Sequence, residues 1–263
     1  MKIEFLKHVK SYLCSRSIIK TLTVTSLALF TLQASAGNFK LDKTRIVLDE
    51  EVRRDEIRIY NESDTLQSYR VSLIEMKMNA EGSLVEVEEY ERSAQPYLRI
   101  GPRISRDVKP HSFQKVRIIK RKTPKAGEYR SHLMVEAITQ DPIKQVSGIF
   151  IRPNLKYVIP IFVRHGQEPA ELRFGKPGVT EDGKLNLVLN RLGASSVSGN
   201  IVVRDKNNEE LYRANQVSVY PEINSRQLNT ELLAKDLEGQ AISLILEDPS
   251  NDDEVVVQQV VKL

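Results

Sequence analysis

The feature that most constrains the fold is an alternation of apolar and polar residues with a period of two. Beyond residue 37 it recurs in short segments rich in Val, Ile and Tyr, which turn residues separate. Residues 68–76 show it clearly, because Tyr69, Val71 and Leu73 fall on one face of an extended chain. Short alternating segments of this kind predict strands with one buried face.

The predicted strands cover most of the chain after residue 40. They are residues 41–48, 56–60, 68–76, 114–120 and 132–138, followed by residues 184–190, 200–204, 216–220, 241–247 and 254–262. Only residues 229–237 resemble a helix, of one or two turns. We therefore predict an all-β protein.

A break in the strand pattern divides the chain. Residues 164–178 follow the apolar run 157–163 and are rich in Gly and Pro, which is typical of a boundary between domains. Residues 37–165 and 166–263 each have the size of one immunoglobulin-like sandwich. The sequence therefore predicts two immunoglobulin-like β-sandwich domains over these ranges.

Residues 1–36 have the pattern of a signal peptide. A basic stretch ends at Lys20, an apolar run covers 21–33, and the small residues Ala34, Ser35 and Ala36 follow. We expect cleavage before Gly37 and export, with an uncleaved anchor as the alternative. The single cysteine of the sequence lies in this leader, so the mature chain has neither disulfides nor thiolate metal sites.

The charge of the mature chain removes the simplest argument for a polyanionic partner. The full chain has 39 basic and 35 acidic residues, and without residues 1–36 the two counts are equal. A basic run at 115–125 is more typical of a solvated hairpin than of a nucleic-acid site, and the acidic stretch 81–91 can offset it. We expect no nucleic-acid binding and no membrane insertion after signal cleavage.

Motifs for catalysis or metal binding are weak. The mature histidines His111, His132 and His165 are far apart in sequence, and no phosphate-binding glycine loop or nucleophile elbow occurs. We therefore predict no enzymatic activity, no cofactor and no metal site. The alternative is an enzyme whose site is assembled from scattered residues.

Several segments, taken in order, resemble one protein family. They are residues 41–47 (LDKTRIV), 59–61 (IYN), 116–119 (VRII), 159–164 (IPIFVR), 185–190 (LNLVLN) and 199–203 (GNIVV). In this order they are similar to strands of the PapD-like periplasmic pilus chaperones, over nearly the whole mature chain, with departures that suggest a divergent branch. The resemblance implies two sandwiches at an angle that bind incomplete pilus subunits.

Such a chaperone caps a subunit by donating an edge strand to a sandwich that lacks its last strand. Residues 148–163 contain an extended apolar segment of the kind required. Within it Ile149, Ile151 and Leu155 share one face, so we predict that they enter the subunit groove. Packing inside this domain's own core is the alternative for these side chains.

The resemblance also implies a site for the C-terminal carboxylate of the subunit. Arg45 matches the family's cleft arginine, whose planar guanidinium can donate to both carboxylate oxygens. The family's partner lysine is missing, because Pro160 takes its position in the closing strand. Lys156 or Arg117 is the candidate replacement.

The sequence thus predicts a periplasmic chaperone that caps pilus or fimbrial subunits and prevents their aggregation and premature assembly. The expected partners are these subunits and an outer-membrane usher. An exported two-domain adhesin or a structural subunit of a surface fibre is the alternative. A fibre subunit would be expected to carry its own N-terminal donor extension, and only residues 37–40 precede the first predicted strand, which disfavours this alternative.

Overall fold

A computed structural model describes residues 39–138, 155–166, 170–249, 251 and 253–263. The predicted signal peptide lies outside the described residues. The strands are β1 Phe39–Leu41, β2 Ile46–Leu48, β3 Arg54–Asn61, β4 Gln67–Met78, β5 Leu84–Val87, β6 Leu98–Gly101, β7 Ile104–Val108, β8 Phe113–Lys120, β9 Gly127–Ile138, β10 Lys156–His165, β11 Glu171–Phe174, β12 Gly178–Val179, β13 Lys184–Leu192, β14 Val197–Arg204, β15 Glu210–Val219, β16 Ser225–Leu233, β17 Ala241–Asp248 and β18 Glu254–Lys262. Short 3-10 turns cover Gln95–Tyr97 and Ala234–Leu237. The predicted all-β fold of two sandwiches is confirmed.

Strands β1 to β10 form the first sandwich. One sheet has the order β1-β3-β8-β6, and the other has the order β2-β10-β9-β4-β5, with β7 also paired to β4. The alternation predicted this packing, since Tyr69 and Val71 are fully buried and Leu73 is partly buried. Their inward face meets that of the opposite sheet in one hydrophobic core.

The single strand predicted over 41–48 is wrong, because two short strands lie there in different sheets. Leu41 pairs with Ile59 in β3, whereas Ile46 pairs in parallel with Ile161 in β10. The residues between them carry the chain from one sheet to the other. This crossing places Arg45 directly before β2.

Strands β11 to β18 form the second sandwich, around a second hydrophobic core. In one sheet β13 pairs with β11, β12 and β16, and the other sheet has the order β15-β14-β17-β18. The helix expected over 229–237 is mostly wrong. Pairing with β13 keeps the chain extended to Leu233, and only residues 234–237 form a 3-10 turn.

The two sandwiches meet through a third, smaller group of buried side chains. Met78 and Phe162 come from the first sandwich, and Tyr220 follows β15 in the second. The rings of Phe162 and Tyr220 contact each other edge-to-face, with centroids 5.9 Å apart. In the described ranges, no helix has the length and apolarity needed to cross a membrane.

Candidate functional site

Strand β10 leaves part of one edge without a partner strand. It pairs with β9 along its whole length, from Lys156 to His165. On its other side β2 pairs only with residues 161–163. In the described part of the chain, residues 156–160 therefore present backbone groups that another strand can pair with.

The side chains of this free edge alternate between the core and the surface. Ile159 is 6% exposed and belongs to the first core, whereas its neighbour Val158 is 38% exposed. Pro160 lies at the end of the segment, just before pairing with β2 begins. Because proline has no N–H, this placement at a strand edge is the one that its chemistry allows.

The predicted donor residues are only partly within the described structure. Leu155 is half-buried and packs against the first core. Ile149 and Ile151 lie outside the described residues. The donor role of these three side chains stays a prediction.

The free edge borders a cleft between the two sandwiches. The cleft has a volume of about 640 Å³. The first sandwich contributes residues around Arg45 and the free edge. The second contributes the small and polar residues Ser198, Gly199, Gln216 and Ser218, together with Tyr220, Asp248 and Pro249. At Gly199 a Cβ atom would lie 2.6 Å from the carbonyl oxygen of Glu247. A side chain at position 199 therefore does not fit against the neighbouring strand β17.

Arg45 lies at the end of the cleft with its guanidinium over an aromatic ring. Its Cζ atom is 5.0 Å from the ring centroid of Phe162. No described residue forms a hydrogen bond or ion pair with this guanidinium, although much of the residue remains exposed. Partial burial, and then repulsion from Arg164, lower the pKa of Arg45, although the charges of Glu128 and Asp248 act in the opposite direction. A carboxylate placed beside the guanidinium would favour its charged form and so offset both effects.

The structure does not bring the other two predicted anchor residues to Arg45. Lys156 lies four residues before Pro160, which is about 13 Å along a strand, and its Nζ atom is 3.7 Å from a carboxylate oxygen of Glu136. Arg117 is exposed on β8, in the opposite sheet. Neither lines the cleft, so neither shares one carboxylate with Arg45 in this arrangement.

Arg164 is the second cation near Arg45, and sequence reasoning missed it. Its Cζ atom is 5.5 Å from the same Phe162 ring. Its Nε atom donates to the buried carboxylate of Glu128 at 2.8 Å, and Ser196 of the second sandwich donates to that carboxylate through both N–H and hydroxyl. Arg164 therefore already has a carboxylate partner. Because Ser196 donates to the same carboxylate, this group links the two sandwiches.

A second polar group joins the sandwiches on the other side of the Phe162–Tyr220 contact. Arg130 is 1% exposed and lies over the Tyr220 ring at 3.8 Å. Its two terminal nitrogens donate to both carboxylate oxygens of Glu222, at 2.5 and 3.2 Å. Glu222 also accepts the N–H of Met78 and the hydroxyl of Tyr90.

The pKa of Glu222 reflects this environment. Burial alone would raise it, but the hydrogen bond and the charge of Arg130 outweigh burial and lower the pKa. The carboxylate is therefore held ionised between the sandwiches. Arg130 and Glu222 are 92 residues apart in sequence, so no local signal pairs them.

The described side chains contain no group of three or more His, Cys, Asp or Glu placed to hold a metal ion. The cleft instead combines an unpaired strand edge, an unpaired guanidinium and a largely polar wall. These features suit an extended polypeptide that ends in a carboxylate.

Comparisons with known proteins bear on the fold. No protein-family profile matches the sequence, and no curated protein matches it significantly. Among solved structures, one similar chain comes from the CsuC–CsuE chaperone–tip adhesion subunit pre-assembly complex of the archaic chaperone-usher Csu pili of Acinetobacter baumannii. The TM-score is 0.53 at 12% identity, over 86% of this chain and 97% of that chain.

Two further structures give the same result. The E. coli chaperone DraB has a TM-score of 0.51 at 12% identity, over 86% of this chain and 96% of its own. A chain from the complex of the Salmonella enterica SafA pilin with the SafB chaperone has a TM-score of 0.50 at 11% identity, over 88% and 98%. The fold that the resemblance implied is confirmed: this chain folds as the chaperones of chaperone–usher pili do.

Proposed function

We propose that the protein is a non-enzymatic periplasmic chaperone for pilus or fimbrial subunits. It captures a subunit in the cleft between its sandwiches, by pairing the free edge of β10 with a strand of the subunit. The observation that carries the proposal is the unpaired edge at residues 156–160, which runs towards the unpaired guanidinium of Arg45.

Strand pairing supplies the first part of the interaction. A subunit that lacks one strand exposes backbone groups and apolar core atoms, and a donated strand satisfies both. Within the donor segment, Ile149, Ile151 and Leu155 would cover the apolar groove of the subunit. Leu155 must then leave part of its packing on the first core, because it is half-buried there.

Arg45 supplies the second part by fixing the end of the subunit. A strand that continues the parallel or antiparallel ladder along β10 reaches Arg45 where β2 begins. The guanidinium can then donate to both oxygens of the subunit's terminal carboxylate. In this arrangement Arg45 sets the register, while Lys156 lies too far along the strand to share the same carboxylate.

The cellular setting follows from this role and from the predicted signal peptide. Export would place the chaperone in the periplasm, where subunits wait for assembly. Release would need no nucleotide, since a subunit that receives a strand from the next subunit becomes more stable. The complexes named in the neighbouring structures, of chaperones with a tip subunit or a pilin, support subunits as clients, and an outer-membrane usher is the expected acceptor.

Co-purification from the periplasm tests the proposal. We expect the tagged protein to retain a pilus-like subunit that mass spectrometry identifies. Arg45→Ala should reduce the retained subunit about ten- to hundred-fold, because a hydrogen bond to a charged group contributes about 1.5–3 kcal/mol. Arg117→Ala is the matched control, since it removes an exposed arginine outside the cleft. Equal retention by the Arg45→Ala variant and the wild type would refute the anchoring role.

A further inference from the structure

A second cavity lies in the first sandwich, and four of the nine residues that line it are glutamates. It has a volume of about 540 Å³ and is separate from the cleft at Arg45. We call it the acidic cavity and define it by its charged lining residues, Glu75, Lys77, Glu88, Glu89 and Glu91. Four carboxylates thus face one ammonium group.

Glu75 differs from the other glutamates because it is buried. It lies on β4 and is 5% exposed. Its Oε1 atom accepts hydrogen bonds from the hydroxyls of Ser93 and Ser131, at 2.7 and 2.8 Å. Its Oε2 atom is buried and has no hydrogen-bond partner among the described residues.

The two serines fix the orientation of this carboxylate. The N–H of Gln95 donates to the Ser93 hydroxyl, and the N–H of Ala94 donates to the Ser131 hydroxyl. Each hydroxyl therefore has its own proton left for Oε1 of Glu75. With Oε1 occupied twice, Oε2 is the atom left to take a donor. An unmatched acceptor at this depth is costly unless something donates to it.

The carboxylates at the exposed part of the cavity have no ion-pair partner. In the part of the chain that the structure describes, Glu88, Glu89 and Glu91 form no ion pair. The one lysine of the lining does not neutralise them, because the Nζ atom of Lys77 instead lies over the ring of Tyr90, at 5.9 Å from its centroid. The cavity therefore combines a buried acceptor with a rim of unpaired negative charge.

We propose that the acidic cavity binds a basic side chain, a lysine ammonium or an arginine guanidinium, presented by a partner protein. Such a group carries donors and no acceptors, so one of its N–H groups can donate to Oε2 of Glu75 while its other N–H groups stay available to the carboxylates of the rim. The three glutamates at the rim, Glu88, Glu89 and Glu91, attract the basic surface around that side chain. This inference does not depend on the chaperone role.

The chemistry of the cavity favours a basic side chain over a bare metal ion. Calcium needs six to eight oxygen ligands at short distance, and no described cluster of acidic residues is placed to hold a metal. The single free oxygen of Glu75 suits one N–H donor instead. The rim then limits which proteins can approach, because an acidic surface is repelled.

An NMR titration of the isotope-labelled mature protein tests this proposal. The probes are three capped pentapeptides of glycine and serine with a central lysine, arginine or citrulline. We expect the lysine or the arginine peptide to shift the backbone amides of Lys77, Glu91 and Ser93 with saturation at millimolar concentration. Citrulline has the shape of arginine without its charge, so the third peptide should leave these amides unshifted.

Two variants separate the buried carboxylate from general charge. Glu75→Gln keeps the shape and removes the charge, so it should weaken peptide binding about ten-fold. The control Glu81→Gln/Glu86→Gln removes two exposed charges that do not line the cavity and should change the affinity less than two-fold. If Glu75→Gln does not fold, Glu88→Gln/Glu91→Gln at the rim replaces it, with a loss of the same order expected.

Several results would overturn the proposal. Equal shifts with the citrulline peptide would show that charge is not recognised. Unchanged binding by Glu75→Gln, or the absence of shifts with both basic peptides, would exclude the buried carboxylate as the binding group. Calcium chloride that shifts the same amides at micromolar concentration would identify a metal site instead.

Discussion

Two arginines flank the same pair of aromatic rings between the sandwiches, and their surroundings differ. Arg130 lies on the Tyr220 side, is 1% exposed and donates to both oxygens of Glu222. Arg45 lies on the Phe162 side and has no acceptor among the described residues. The paired arginine stabilises the contact between the sandwiches, and the unpaired one is available to a ligand.

The same contrast holds for the backbone around each arginine. The backbone at Arg130, on β9, pairs with Phe162 of β10 on one side and with Ser93 on the other. Arg45 lies where β2 begins, next to the part of β10 that has a partner on one side only. The unpaired backbone groups of β10 and the unpaired guanidinium of Arg45 therefore lie on the same side of the interface between the sandwiches. This is the side that we assign to the client.

The largest expected effect is on stability, at the side of the interface where Arg130 and Glu222 are paired. Glu222→Ala leaves the guanidinium of Arg130 buried without its carboxylate, which should lower the free energy of unfolding by about 3–5 kcal/mol. Urea unfolding measures this loss. The control Glu171→Ala breaks an ion pair with Arg173 whose side chains are 71% and 70% exposed, and it should cost less than about 1 kcal/mol. Equal losses in the two variants would contradict the structural role of Glu222.

A matched pair on β10 separates stability from client capture. Ile159→Asp places a charge in the first core, so it should destabilise the free protein by about 3 kcal/mol or more. Val158→Asp places the same charge on the exposed face of the free edge and should change stability by less than about 1 kcal/mol. It should still abolish client capture, because the client would bury that charge. Thermal melts beside a pull-down compare the two, and a normal yield of client with Val158→Asp would argue against pairing at this edge.

A smaller effect is the pH dependence of stability that arises from a histidine near Arg130. His132 is 1% exposed, and burial, together with the nearby charge of Arg130, lowers its pKa from 6.5 to about 4. Between these values the unfolded chain binds a proton that the folded protein does not. Stability should therefore fall as the pH drops from about 6.5 to 4, by about 2–3 kcal/mol from this group.

The variant His132→Gln isolates that contribution. Glutamine has no proton to gain over this range, so the loss of stability between pH 7 and pH 4.5 should be smaller in the variant than in the wild type. Urea unfolding at both pH values gives the difference. An identical loss in both proteins would show that His132 does not couple folding to pH.

The sequence predicted which face of a strand is buried better than it predicted where the chain crosses from one sheet to the other. Alternation identified the buried face of β4 correctly through Tyr69 and Val71, because one side of that strand meets the core. It failed at 41–48, where a signal was present: inward residues are odd-numbered up to Leu41 and even-numbered from Ile46. A strand that keeps one face on one core cannot change parity in this way.

The candidate site was predictable only where a local motif marks it. Arg45 was found through a resemblance of short segments; it lies at the cleft, and its role as an anchor stays a prediction. Arg164, Glu128 and the Arg130–Glu222 pair were missed, because each depends on contacts between residues far apart in the chain. Period-two patterns report which face is buried and carry no information on which distant charge is buried opposite it.

Hydrogen exchange along β10 tests the central claim most directly. The measurement compares the free protein with the protein purified together with its client, and follows the amides of residues 155–159. We predict slower exchange in the complex for those amides of the segment that point away from β9, because a client strand covers the free edge. The amides of β9 at residues 131–135 should stay equally protected in both states. Unchanged exchange at residues 155–159 in a client-loaded sample would contradict the proposal that this edge holds the client.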